Sequence, residues 1–440
     1  MDNKVKNYKI PIVLFYFFMI YKIGLEFGYW YILRKYYADS VEYTFDFNIY
    51  KYILGFLTIF LIFMLIRHND GRVSTFYLEL HYVLAIIPIT VVYSFGNKET
   101  LYYLGVCIGY ILAIIIVQLK TNLVFDGSEI ISLMIIICFC LITIIVYLDM
   151  IVENGIPQLR ALNIFSVYDY RGEFQINKYV GYLYRWQVVV INPFMIINGL
   201  QKKNKSLVGI FTILQFAAYL YTTQKTILFI IPLIYGVYFL AKFKRFNVLV
   251  YSIFSVSITL SAILASINYN LYKIFSLFGR RVLLLPANLK FLYYDFFTNH
   301  ENIGLAGTLW GKFLDVESPY ELGVGNLISK YYFNLPETNS NTGFLAEGYY
   351  MFGYLGILLA VVLFAFLLKC LDFCENRNGF AFTIGISIYS LFMLNDTSLI
   401  DSILFGNITI LLVILIFYKN SNKYTKNIKC FRRAKCLNQL

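Results

Sequence analysis

Apolar runs long enough to cross a bilayer recur along almost the whole of this chain, and they leave few folds open to it. A spanning helix needs about 20 mostly apolar residues. Candidates stand at 10–33, 50–66, 75–95, 101–119, 130–148, 179–200, 207–221, 226–241, 248–269, 349–368, 380–394 and 402–418. Charged residues make up only 14% of the sequence, against about 25% in soluble proteins. With 59% hydrophobic residues and a mean hydropathy of +0.66, the chain cannot cover itself with polar surface. The expected class is therefore all-α: a polytopic integral membrane protein with about twelve transmembrane helices, residues 1–440 forming one membrane domain. Lys4, Lys6 and Lys9 precede the first run. That run is too long for a signal-peptide core, so it is read as a retained span.

Charge sets the orientation. Lys202, Lys203, Lys205, Lys242, Lys244 and Arg245, together with the basic tail 419–440, fall on the same side if the N-terminus is inside. The short connections of the other side hold only Arg34, Lys35, Lys51, Lys98 and Lys225. The positive-inside rule then puts both termini in the cytoplasm. The net charge of +12 reads as topology charge, not as a nucleic-acid signal. Forty tyrosines stand against three tryptophans. Many of them lie at segment ends, where an amphipathic ring suits the membrane interface. None of the seven cysteines falls in an outer segment, so no disulfide framework is expected.

Two outer segments break the run of short connections, 149–178 and 270–348. Structureless loops of that length are uncommon unless functional. The second contains the turn-rich string Leu335-Pro336-Glu337-Thr338-Asn339-Ser340-Asn341 and an amphipathic stretch at 281–297. Short helices lying on the outer membrane face are expected there.

Walker A, phosphate-binding GxGxxG and HExxH motifs are all missing, which removes the engine of an ATP-driven pump. The chemistry on offer is cationic and acid–base. Arg160 and Arg171 lie in the first long segment. Arg185 lies inside the sixth run, Lys225 in a short outer turn, and Arg280 and Arg281 open the second long segment. An arginine at the centre of a spanning helix costs ~2.5–3.5 kcal/mol, and a shallower one costs less. A partner, a cavity or a headgroup must offset that cost. The guanidinium fork suits bidentate contact with phosphate or carboxylate. A lipid-linked pyrophosphate fits such a cluster, and so do phospholipid headgroups or structural ion pairs. Glu347, His300 and Asp295 are the outer-side candidates for proton transfer, in falling order. Glu347 opens a glycine-bearing return, Glu347-Gly348-Tyr349-Tyr350-Met351-Phe352-Gly353-Tyr354-Leu355-Gly356. Elsewhere, Lys22 and Glu26 are spaced to pair along a helix. Glu79, His81, Asn395 and Asp396 are further polar groups inside or at the ends of runs. No metal-ligand constellation appears on the outer side, and no cofactor is expected.

These strings resemble a known family. Tyr170-Arg171-Gly172-Glu173, Gly181-Tyr182-Leu183-Tyr184-Arg185-Trp186, Asn192-Pro193, Thr223-Gln224-Lys225-Thr226 and the return from Glu347, set in about twelve spans with two long outer segments, are similar to the Wzy-type O-antigen and capsule repeat-unit polymerases. The resemblance implies a GT-C-like membrane glycosyltransferase of the bacterial inner membrane. Such an enzyme moves a growing glycan from undecaprenyl pyrophosphate onto a new lipid-linked repeat unit at the outer leaflet. Its implied partners are that lipid-linked oligosaccharide, membrane lipids, a chain-length regulator and a flippase, with no nucleic acid. Two other readings stay open. An O-antigen ligase uses the same donor with a different acceptor. A flippase or transporter of lipid-linked oligosaccharide has a similar span count.

Overall fold

A computed structural model describes residues 2–37, 43–120, 128–157, 174–306, 308, 311, 314–404 and 406–420. Arg160, Arg171 and the tail beyond residue 420 lie outside the described residues. Helices make up every regular element among the described residues. Seven are long and apolar enough to cross a membrane: Ile10–Tyr36, Val73–Phe95, Thr100–Gln118, Glu129–Asn154, Val180–Lys202, Phe246–Ile267 and Phe344–Asn378. Four shorter apolar helices are Ile49–Leu65, Lys225–Leu240, Phe380–Met393 and Asn407–Phe417. Each apolar run of the sequence coincides with a helix, the last being divided between Leu399–Leu404 and Asn407–Phe417. Two of these helices turn whole stripes of large apolar side chains outward. Ile53, Phe56, Leu57, Phe60, Leu61 and Met64 do so on one, and Ile130, Leu133, Ile137, Leu141, Ile144 and Leu148 on the other. Water would not tolerate stripes of this length, and a bilayer accepts them. The protein is membrane-embedded.

The chain forms two compact units. The first comprises Met1–Lys120, Arg245–Leu368 and Phe392–Asp401. Its axis is Val73–Phe95, buried along its whole length. Ile10–Tyr36 packs along Phe246–Ile267. Gly24 lets the two backbones close up, since a Cβ there would sit 2.8 Å from the Cα of Thr259. The helix Tyr82–Ile86 is a π-turn within the buried axis. Such turns disturb the regular backbone ladder, and here tyrosine hydroxyls supplement it. Tyr21 Oη donates to the Val83 carbonyl at 2.9 Å, and Tyr251 Oη to that of Phe76 at 2.7 Å. Tyr21, Tyr29, Tyr77, Tyr82, Tyr93, Tyr102 and Tyr103 are all fully buried. Many tyrosines thus serve the core, where the sequence suggested the interface.

One end of this unit gathers 43–48, 96–99, the described residues of 272–343, and 395–401. Asp46 N and Asn48 N donate to the carbonyls of Phe95 and Ser94. Asn97 Nδ2 reaches Asp46 Oδ2 at 2.7 Å, and Tyr37 Oη lies 2.6 Å from Ser276 Oγ. The opposite end holds His68, Arg72, Glu79 and Asn247. His68 Nδ1 is 2.8 Å from Glu79 Oε1, and Asn247 Nδ2 donates to Glu79 Oε2 at 2.6 Å.

The long segment departs from expectation at its centre. Tyr272–Phe275, the π-helix Ser276–Leu284 and Leu285–Asn299 follow one another directly. The last of these is buried on all sides, by Leu289, Phe291, Leu292, Tyr293, Tyr294, Phe296 and Phe297 among others. The expected surface helix at 281–297 is therefore an inserted core helix. Its apolar residues run right round the axis, and only burial satisfies that pattern. Val324–Phe333, by contrast, buries only Ile328 and Ser329 and lies at the surface.

Helix Phe344–Asn378 is broken at Phe352 and Gly353. Gly353 adopts φ 63°, ψ −144°, a region that only glycine enters without strain. Across the break Gly348 and Gly356 stand back to back, and a Cβ on Gly356 would lie 1.8 Å from the Gly348 carbonyl oxygen. That oxygen is backbone and cannot swing away. Gly356→Ala is expected to lower the thermal midpoint in detergent well beyond the effect of Gly236→Ala, where a Cβ meets nothing within 4 Å. Equal midpoints for the two variants would refute the close approach.

The second unit comprises Thr121–Lys244, Lys369–Leu391 and Ser402–Leu440. A neutral polar network ties its buried helices. Thr143 Oγ1 donates to Gln187 Oε1 at 3.1 Å, and Gln187 Nε2 to Asn192 Oδ1 at 2.7 Å. Asn192 Nδ2 donates to Gln215 Oε1 at 2.8 Å and to Tyr147 Oη at 3.1 Å. Satisfied amides of this kind hold helices together where no hydrophobic force acts between them. At one end of the unit, Tyr221 Oη donates to the Gly155 carbonyl and Asn154 Nδ2 to that of Gln175. The described flanks of the first long segment thereby sit beside the turn that carries Lys225. At the other end Arg377 donates to the carbonyls of Ile416 and Leu415, at 2.8 and 2.9 Å. This places a cation on the C-terminus of Asn407–Phe417, where the helix dipole favours one.

Candidate functional site

The inserted helix orders the candidate site of the first unit. Arg280 and Arg281 lie on its π-helical entry, Ser276–Leu284. Insertions of this type widen the turn and re-aim side chains. Arg280 is half-buried. Its Nε donates to Ser276 Oγ at 3.0 Å, and its guanidinium lies 4.4 Å from the centre of the Tyr37 ring. Tyr37 Oη in turn lies 2.6 Å from Ser276 Oγ. The guanidinium is thus steadied by a ring face and a hydroxyl. Arg281, next along, is exposed.

The neighbouring acid comes from the connection between Phe380–Met393 and Leu399–Leu404. Asn395 Nδ2 donates to the carbonyl of Val282, the residue after Arg281, at 3.3 Å. The next residue is Asp396. Burial pushes its carboxyl up to about 6, and Lys290 opposes that shift. Lys290 is almost completely buried, 1% exposed. Its ammonium donates to the carbonyls of Pro286 and Asn395, both at 3.2 Å, and to Asn395 Oδ1 at 3.3 Å. Burial lowers Lys290 to about 8, against the pull of Asp396. A half-buried carboxyl that burial pushes up therefore sits on a connection tied, through Asn395, to the helix that carries the arginine pair, and the buried Lys290 acts on it electrostatically. Groups perturbed by burial and a specific partner cluster at functional sites. The arrangement offers cations for an oxyanion and a carboxylate for a proton. The sequence marked Asp396 only as a polar group closing a run and gave Lys290 no role. A lone lysine in Leu289-Lys290-Phe291 within an all-round apolar helix was the available signal.

Glu347 takes a different part. It is 2% exposed. It accepts a hydrogen bond from Ser398 Oγ, and others from Leu399 N at 2.7 Å and Ile400 N at 3.3 Å. Ser398 Oγ also accepts from Asp401 N at 2.9 Å. Together these two side chains cap the short helix Leu399–Leu404. The carboxylate binds the segment that carries Asp396, and its lone pairs are engaged.

His300 and Asp295 stand at the far end of the inserted helix. Fifteen positions separate Arg280 from Asp295, roughly 20 Å at the helical rise. Asp295 is exposed and accepts from Tyr332 Oη at 2.6 Å. His300 stacks on Phe296 at 4.0 Å, and its Nδ1 donates to the Phe296 carbonyl at 2.8 Å. The two groups do not share a reaction centre with Arg280 and Arg281.

In the second unit Arg185 is exposed on Val180–Trp186, two residues before the π-helix Gln187–Ile191. Lys225 is the half-buried first residue of Lys225–Leu240, just after Thr223 in the left-handed conformation. A cation in a first helical turn opposes the helix dipole. Among the described residues no three His, Cys, Asp or Glu side chains converge as a metal site would require. No family model, no curated protein and no solved structure matches the chain.

Proposed function

We propose that the protein is a metal-independent membrane glycosyltransferase that polymerises lipid-linked oligosaccharide repeat units into O-antigen or capsular polysaccharide. On this reading it resides in the bacterial inner membrane with about twelve spans in a GT-C-like arrangement and both termini cytoplasmic. Arg280 and Arg281 hold the undecaprenyl pyrophosphate of the donor. Negative charge grows on that leaving group as the bond between the sugar and its phosphate breaks and the acceptor hydroxyl forms the new glycosidic bond, and fixed cations stabilise it without reorganisation. Asp396, held by Asn395 and backed by Lys290, removes the proton from the attacking sugar hydroxyl. Arg160, Arg171, Arg185 and Lys225 bind anions within the second unit.

The observation that supports this reading is the hydrogen bond from Asn395 to the Val282 carbonyl, which ties the connection bearing Asp396 to the helix bearing Arg280 and Arg281. A flippase needs charge along a central path. Here the axis Val73–Phe95 is buried throughout, and the Glu79 carboxylate on it is tied to His68 and Asn247. An O-antigen ligase shares the donor chemistry and differs in its acceptor.

Arg280→Ala/Arg281→Ala is the first test. A variant that still inserts is expected to leave single repeat units on the cell surface and no polymer. Lysine at both positions is expected to restore part of the chain length, since it keeps the charge and loses the fork. Polymer of normal length in the alanine variant would remove the pair from the site.

A further inference from the structure

Beyond the arginine pair, the first unit carries an open cleft of about 560 Å³ lined by Thr298, Asn299, His300, Glu301, Pro319 and Tyr320. Its chemistry differs from that of the arginine site. No lysine or arginine lines it, so it is not built for a phosphate. Pro319 and the Tyr320 ring supply the apolar side of the cleft. The other four residues bring a hydroxyl, an amide, an imidazole and a carboxylate. Tyr320 Oη is engaged by the Glu301 carbonyl at 2.7 Å, and the ring packs edge-on against Phe296 and Phe297. The hydroxyl bond and the two rings together fix the tyrosine plane. His300 is held flat against Phe296, with Nδ1 committed to the Phe296 carbonyl. In the neutral ring its Nε2 is then an acceptor. Asn299 commits an N–H to the Asp295 carbonyl and keeps its amide oxygen as an acceptor, and the Glu301 carboxylate is exposed.

We propose that this cleft is a saccharide subsite: a neutral sugar stacks a ring face on Tyr320 and shares its hydroxyls among Asn299, His300 and Glu301. Pyranose rings offer apolar C–H faces and in-plane hydroxyls, and the cleft supplies a partner for each. Its nearest lining residue, Thr298, lies roughly 27 Å along the inserted helix from Arg280. A glycan of several sugars whose phosphate sits at the arginines spans that distance. The proposal deepens the polymerase reading, and only the choice of probe rests on that reading.

The experiment uses the full chain in lipid nanodiscs. The probe is the single repeat unit released by mild acid from the host's own surface glycan, so that it carries no phosphate or lipid. Saturation-transfer NMR reports binding. The wild type is expected to bind, Tyr320→Phe to bind as well, and Tyr320→Ala to bind at least about tenfold more weakly. The phenylalanine variant keeps the ring while losing the Glu301 contact, which separates stacking from loop integrity. No binding by the wild type, equal binding by Tyr320→Ala, or displacement by inorganic pyrophosphate each overturns the subsite. A chain that binds the saccharide in this manner but makes no polymer keeps the subsite and loses the polymerase. A chain that makes polymer but fails the binding test does the reverse.

Discussion

Asp396→Asn is expected to stop polymer formation while the protein continues to insert and fold. General bases contribute about 10²–10⁴-fold, and asparagine keeps the shape of the side chain while losing the basic oxygen. The wild-type pH profile follows from the same group. Its carboxyl stands at about 6, and only the deprotonated form acts as a base. Activity is therefore expected to rise as pH passes upward through about 6 and to fall away below it. Lys290 supplies a second arm to the test. Its ammonium lowers the Asp396 carboxyl against the effect of burial. Lys290→Met removes that influence, so the acid limb of the profile moves to higher pH. A purely structural lysine would change yield and leave the limb in place. Rate against pH in membrane vesicles measures both, and an Asp396→Asn enzyme with wild-type turnover would end the assignment.

The second large effect is on stability. Glu347→Ala removes the acceptor for two backbone N–H groups and a hydroxyl at the start of Leu399–Leu404. A buried donor left unsatisfied costs about 1–3 kcal/mol, and Leu399 is itself fully buried. The summed loss is several kcal/mol, on the order of half the stability of an ordinary domain. The expected result is a large fall in thermal midpoint and in yield of folded protein. Glu347→Gln keeps one carbonyl acceptor and is expected to lose distinctly less. If Glu347→Ala folds at the wild-type midpoint and fails only in polymer formation, the carboxylate is a catalytic group and not a cap.

Much of the helical scaffold was legible in the sequence, because a bilayer leaves a chain little freedom. Continuous apolar runs such as 101–119 and 130–148 reappear as Thr100–Gln118 and Glu129–Asn154 with ends shifted by a few residues. The glycines of the Glu347 return announced a local break, and Gly353 makes one. The pairing of Lys22 with Glu26, four residues apart, is also seen. The site was less legible, for identifiable reasons. Aromatic residues obscure burial, since Tyr293, Tyr294, Phe296 and Phe297 suit an interface as well as a core. The stretch 281–297 therefore read as a surface helix. Glu347 read as a proton-transfer candidate at the mouth of a span, and its hydrogen-bond partners at Ser398–Ile400 are some fifty residues away. Asp396 and Lys290, more than a hundred positions apart, meet only through the fold. Long-range pairings of that kind leave no local periodicity to read.

On the polymerase reading, lipid-linked repeat units are joined at the end of the first unit that carries Arg280 and Arg281. Reconstitution tests it most directly: the purified protein in vesicles, supplied with the undecaprenyl-pyrophosphate-linked repeat unit of its host and nothing else. A ladder of lipid-linked glycans that grows with time without added metal is expected, and no ladder from Arg280→Ala/Arg281→Ala. Movement of the unaltered repeat unit across the bilayer with no ladder would contradict it, and would identify a transporter instead.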